Sequence, residues 1–158
     1  MGGATVSLSM ILPFDSDGFV RRACPVCERE FKCIVTPATD PAPEDPTEEL
    51  HCPYCGSRAG RGSWFTVAQL EQARGIVNSR VVGPMLEDLA RQVRDIPNEP
   101  GALVTFTVDY TVPEEPKPLT AIDDMTRVDF PCHPDEPVKV LDGWDRPLLC
   151  HICGRRPH

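Results

Sequence analysis

Eight of the 158 residues are cysteines, and six of them fall into three Cys-x-x-Cys pairs: Cys24-Pro-Val-Cys27, Cys52-Pro-Tyr-Cys55 and Cys150-His-Ile-Cys153. Cys33 and Cys132 stand apart. A Cys-x-x-Cys turn aims both sulfurs at one point in space, and two such turns complete a tetrahedron around a metal ion. An even cysteine count could also build disulfides. However, the chain is not cysteine-dense for its length, and no basic patch precedes its apolar stretch Val6–Leu12 as an export signal would require. The expectation is therefore a reduced, cytoplasmic protein whose paired thiols bind metal.

The first set joins Cys24 and Cys27 to Cys52 and Cys55 across 24 intervening residues. Proline follows the first cysteine of each pair, and Gly56 closes the second, where positive φ lets backbone amides turn toward the sulfurs. Gly18–Arg22 and Glu30–Val35 flank the first pair and alternate like the two strands of a hairpin. On these residues 18–56 resemble a zinc ribbon, a family that serves transcription, translation, assembly and purely structural roles. The resemblance implies a bound zinc and a fold element, not a function. The insert Thr36–Pro46 departs from a plain ribbon and reads as an extended, solvated loop.

The second set is Cys132, Cys150 and Cys153, closed by Gly154. Its fourth ligand is read as His133, with Asp135, His151 or a water as alternatives: His133 adjoins Cys132 in a bent Cys-His-Pro loop, Asp135 is a hard ligand beside soft ones, and His151 lies inside a turn that would normally point it away. Glu136–Leu141, a turn at Asp142-Gly143 and a strand into Cys150 read as another hairpin, so residues 126–156 resemble a second ribbon. The cofactor expected is two structural zinc ions, held by Cys24, Cys27, Cys52, Cys55, Cys132, His133, Cys150 and Cys153. Cys33 reads as a small buried hydrophobe, and His51 and His158 read as solvent-exposed, with a hydrogen bond to a metal ligand as the alternative for a histidine beside a Cys-x-x-Cys turn.

Between these sets lie the elements that must position them. Thr66 and Gln69 form a capping box, with Phe65 and Leu70 as a hydrophobic staple. Val67, Leu70, Ala73, Val77 and Val81 follow at helical spacing. Gly83-Pro84 is expected to break this helix, and Met85, Leu86, Leu89, Val93 and Ile96 to line a second one that Pro97 stops. Ala102–Val112 reads as a long strand, Thr126–Phe130 as a shorter one and Val6–Phe14 as an N-terminal one, with a stiff Pro113–Pro118 linker. The fold class is α+β: a ribbon-like unit at 1–60, a helical segment and strand at 61–112, a proline-rich linker at 113–125 and a second ribbon-like unit at 126–158.

Charge narrows the partners. The formal net charge is −8, and seven thiolates and two zinc ions would take it to about −11. Such a surface repels phosphate backbones, and no apolar run reaches the roughly 20 residues of a membrane helix. The cations nearest the first hairpin are Arg21, Arg22 and Lys32. Arg58 and Arg61 follow a Cys-x-x-Cys turn, and these arginines, with Arg74, Arg80, Arg91 and Arg94, are read as pairing with nearby acids. The function expected is a non-catalytic adaptor that contacts another protein. The alternatives are a nucleic-acid-binding ribbon, and an enzyme with an open zinc at Cys132, Cys150 and Cys153 for which Glu136 is the nearest carboxylate.

Overall fold

The computed structural model describes residues 5–35, 48–97, 99–105 and 107–157; the insert Thr36–Pro46 and His158 lie outside them. The alternating segments beside the first cysteine pair form β1 (Phe19–Ala23) and β2 (Glu30–Ile34), paired antiparallel from Phe19↔Ile34 to Ala23↔Glu30. Two short strands, β3 (Glu49–His51) and β4 (Arg58–Gly60), bracket the second pair. Then come α1 (Val67–Val77) and α2 (Gly83–Arg94), and finally β5 (Met125–Phe130) and β6 (His133–Leu141). The class is α+β.

The four longer strands make one antiparallel sheet in the order β1-β2-β6-β5. Strand β2 therefore pairs with β6, through Lys32↔Lys139 and Cys33↔Val138, although more than 100 residues separate them. Residues Leu12–Gln69 and Leu119–His158 form one compact unit, and Met1–Ile11 with Leu70–Pro118 form another. From Leu12 onward, the ribbon-like end expected at 1–60 thus shares a unit and a sheet with the one expected at 126–158. The C-terminal hairpin also differs from expectation. Its strands are β5 and β6, turning at Pro131-Cys132, while the Asp142-Gly143 turn that closes β6 leads into no further strand.

Period-two alternation explains how this sheet is covered. One face presents Phe31, Cys33, Phe130, Val138 and Val140 to an apolar core that also holds Cys24, Cys52, Cys150 and Trp64. The Trp64 ring meets Phe31 edge-on at 5.7 Å, and its Nε1 donates to Ala59 O. The other face presents Lys32 and Lys139, which are directly opposite across β2 and β6. Like charges in that position repel. Asp15 resolves the conflict: its Oδ2 accepts Lys32 Nζ at 3.2 Å and Lys139 Nζ at 2.8 Å, while Oδ1 accepts the amides of Phe19 and Asp17. The Asp15 side chain has no exposed surface and those of Lys32 and Lys139 have 1% and 5%. Lys32 also reaches Ile122 O, and Lys139 reaches Asp17, so the two lysines hold the segments around residues 15 and 122 onto the sheet.

The helices begin as their sequence implies. Thr66 N–H donates to Gln69 Oε1 and Gln69 N–H donates to Thr66 Oγ1, a complete capping box. Gln69 Nε2 also donates to Arg21 O, which anchors the helix start to β1. Leu70, the staple partner, leaves 52% of its surface exposed. The break expected at Gly83-Pro84 does not occur. Asn78–Val82 form a π-helical turn in which Gly83 N–H donates to Asn78 O, five residues back. Pro84 has no N–H, and its ring would meet the carbonyl four residues before it. A widened turn ahead of it keeps the helical direction.

Two expected strands are absent among the described residues. Ala102–Val112 and Val6–Phe14 form no strand, apart from an isolated bridge of Phe14 to Val20. Their apolar residues have no neighbouring strand to bond: Leu103 is fully exposed and Val104 largely so. An alternating pattern specifies a strand only where a partner edge supplies the hydrogen bonds.

Asp15 gives this arrangement a test. Burial alone would raise its carboxyl, but Lys139, the Phe19 amide and Lys32 outweigh it and bring it from 3.8 down to about 2. A depressed carboxylate contributes stability above its unfolded pKa and loses it as pH falls through the folded value. Asp15→Asn removes the one carboxylate shared by the two buried ammonium groups. Among the described residues it leaves Lys32 only Asp124 and Lys139 only Asp17 and Asp123 at the sheet's edge, so denaturant unfolding near pH 7 should show a loss of about 2 kcal/mol. The gap from the parent should be the same near pH 5, because both values of the Asp15 pKa lie below it. A gap under about 1 kcal/mol, the size of a surface ion pair, would contradict this account.

Candidate metal centres

Three turns of the same construction position six of the sulfurs. In each Cys-x-x-Cys the amide after the second cysteine donates to the carbonyl of the first: Glu28 to Cys24, Gly56 to Cys52 and Gly154 to Cys150. In each the amide of the first cysteine donates to the residue two beyond the second, namely Arg29, Ser57 or Arg155. The residue after the second cysteine takes positive φ in all three, +60° at Glu28, +74° at Gly56 and +68° at Gly154. At the last two a side chain would also press on a neighbour. A Cβ at Gly56 would lie 2.8 Å from Leu149 Cδ1, and one at Gly154 would lie 2.6 Å from His51 Cδ2.

These turns bring the expected residues into two clusters, Cys24, Cys27, Cys52 and Cys55, and Cys132, His133, Cys150 and Cys153, with the donor atoms of each all within 4.8 Å of one another. In the first, Cys24 Sγ lies 3.7 Å from Cys55 Sγ, and Cys27 Sγ lies 3.7 Å from Cys52 Sγ. In the second, Cys153 Sγ is 3.6 Å from Cys132 Sγ, and Cys150 Sγ is 3.4 Å from His133 Nδ1. All eight thiols are free. A regular tetrahedron with metal–sulfur bonds of about 2.3 Å has edges of about 3.8 Å, so the spacings fit a four-coordinate ion. Each cluster could hold one metal ion.

The second cluster is asymmetric. Cys150 and Cys153 come from the third turn, whereas Cys132 sits at the tip of the β5–β6 hairpin and His133 is the first residue of β6. The tight Pro131-Cys132 turn lets adjacent residues converge. Asp135 and His151 are not in the cluster. His151 is buried at 2% exposure, with Nε2 3.9 Å from Glu136 and Nδ1 unpartnered among the described residues. Burial lowers its pKa to about 4, keeping the imidazole neutral.

Backbone and hydroxyl donors tune the sulfurs. Burial alone would raise the Cys24 thiol, but the amide of Cys27, the Ser57 hydroxyl and the amide of Val26 hold it down at about 6. Burial pushes Cys27 and Cys52 up instead. In the second cluster the Arg155 amide lowers Cys153, while Cys132 is pushed up to about 11 by desolvation and then by Cys150 and Cys153.

Sequence reasoning missed the residues that bind the loops together. Ser57 Oγ sits 3.2 Å from Cys24 Sγ and 3.0 Å from Cys55 Sγ. Tyr54 OH, inside the second turn, donates to Glu30 O and accepts Leu141 N–H, while its ring meets Trp144 edge-on. His51, expected in solvent, places Nδ1 3.1 Å from Ile152 O and is partly buried. The only sequence sign of these roles is position beside a cysteine pair. Cys33 is buried in β2, as its apolar setting implied. Comparison with family models, curated proteins and solved structures found no match.

The three turns differ in one testable respect. Gly56→Ala and Gly154→Ala each combine positive φ with a close contact and should destabilise the protein by about 2 kcal/mol or more in denaturant unfolding. Glu28→Gly exchanges the strain of a left-handed glutamate for a more mobile unfolded chain and should stay within about 1 kcal/mol of the parent. Equal costs at all three positions would contradict the assignment.

Proposed function

We propose that this chain is a non-catalytic, structural-zinc protein of a reducing compartment that acts as an adaptor for another protein. The observation that carries the reading is the pair of four-donor clusters with tetrahedral spacing. Cys24, Cys27, Cys52 and Cys55 would hold one zinc, and Cys132, His133, Cys150 and Cys153 the other. Thiolate and imidazole donors in tetrahedral array suit zinc, and four protein donors leave no open position for a substrate or activated water. Ribbon-like turns around such ions support folding in place of a large core, since bound zinc contributes on the order of 10 kcal/mol in small units.

The charge distribution favours a protein partner over nucleic acid. Of the cations on the first hairpin, Arg21 pairs with Glu30 and Asp124, Lys32 is buried on Asp15, and Arg22 lies over the Phe65 ring. Arg58 and Arg61 pair with Glu49 and Glu48. These side chains are already engaged, on a chain of net charge −8. Among the described residues no helix is long and apolar enough to cross a membrane.

Native mass spectrometry should find two zinc ions per chain, and one or none would overturn the reading. His133→Ala should lower the content toward one. Asp135→Ala and His151→Ala should retain two, whatever His151→Ala costs in stability by leaving a cavity. Zinc release by His151→Ala alone would assign the fourth ligand differently.

A further inference from the structure

The two clusters are built from turns that are hydrogen-bonded to each other. His51 N–H donates to His151 O at 2.7 Å, and Leu149 N–H donates to Pro53 O at 2.9 Å. This reciprocal pair brackets Cys52 of the first cluster and Cys150 of the second, both wholly buried in the same apolar core. Side chains reinforce it. His51 Nδ1 lies against Ile152 O, His51 packs on Gly154, and Leu149 packs on Gly56. The remaining halves are joined as well: β2, which follows Cys27, pairs with β6, which begins at His133, and Tyr54 OH bridges Glu30 of β2 to Leu141 of β6.

We propose that the two metal sites load cooperatively, so that filling either one raises the affinity of the other. The proposal rests on the two-zinc reading above and adds a sign and a route to it. An ion in the first cluster orders the Cys52–Cys55 turn, and that turn with His51 before it supplies the Pro53 carbonyl and His51 amide which fix the Cys150–Cys153 turn. The same bonds act in the opposite direction. Electrostatics alone would give the contrary sign, because four thiolates around a divalent ion leave net charge −2 and three leave −1, and like charges oppose joint filling. The shared hydrogen bonds and core make the ordering of one site a contribution to the other, and thermodynamic linkage requires that contribution to be equal in both directions.

Cobalt(II) serves as the probe, since four-thiolate and three-thiolate–imidazole sites absorb differently and each can be followed by itself. Titration of the full chain is compared with Cys55→Ser, which impairs only first-site ligands, and Cys153→Ser, which impairs only second-site ligands. Each variant should weaken the untouched site by about tenfold or more, and by the same factor in both directions. Leu149→Pro keeps every ligand but removes the amide that donates to Pro53, so both ions should still bind while the coupling shrinks. Effects on the untouched sites below about threefold, tighter binding in either cysteine variant, or undiminished coupling in Leu149→Pro would overturn the proposal. Fewer than two ions bound by the parent chain would instead count against the two-metal reading itself, which separates the two failures.

Discussion

Each cluster gathers sulfur atoms at spacings where their negative charges compete. Three of the four donors in the second cluster, and all four in the first, are thiols within 4.8 Å of one another. Burial raises Cys27 and Cys52 while local amides lower Cys24, so the thiols cannot ionise independently. A divalent cation held at the point where the turns aim their sulfurs would relieve that competition. The surrounding structure follows from this constraint. Positive φ after each second cysteine, amides directed at sulfur and a hydroxyl at Ser57 would all stabilise thiolate in a partly buried place.

The sheet solves a different problem of charge. Strand β6 buries residues on both faces, and its lysine at position 139 must lie beside Lys32 once the register with β2 is set. A single carboxylate, Asp15, bridges both ammonium groups and is held in turn by two backbone amides. Buried ion clusters of this kind add little net stability over apolar replacements, yet they are costly to break singly. Their effect here is positional: only the register that opposes the two lysines lets one aspartate serve both.

Engagement of cations also bears on function. The arginines and lysine of the first hairpin, which by sequence alone could face a phosphate backbone, are consumed by acids, an aromatic ring and burial. Nucleic-acid-binding surfaces keep such groups free to displace counter-ions. If each cluster is filled by its own four donors, as proposed, no coordination position is left for chemistry. Both considerations support the proposal of a protein partner.

The sequence by itself determined what depends on neighbours a few residues apart. The three cysteine turns, the β1–β2 hairpin and the Thr66–Gln69 capping box could be read from spacing, because short-range geometry governs them, and imidazole, as the softer ligand, favours His133 over the better-spaced Asp135. Tertiary structure alone decided what depends on distant partners. The β2–β6 pairing, the docking of residues 51–53 on 149–151 and the lysine pair on Asp15 join segments roughly 100 residues apart, and no local pattern encodes which strand edge will meet which. The same physics accounts for the expectations that did not hold. Ala102–Val112 alternates correctly but finds no partner edge, His51 and His151 look like loop residues until two turns close over them, and Pro84 reads as a break until a π-helical turn carries the chain past it.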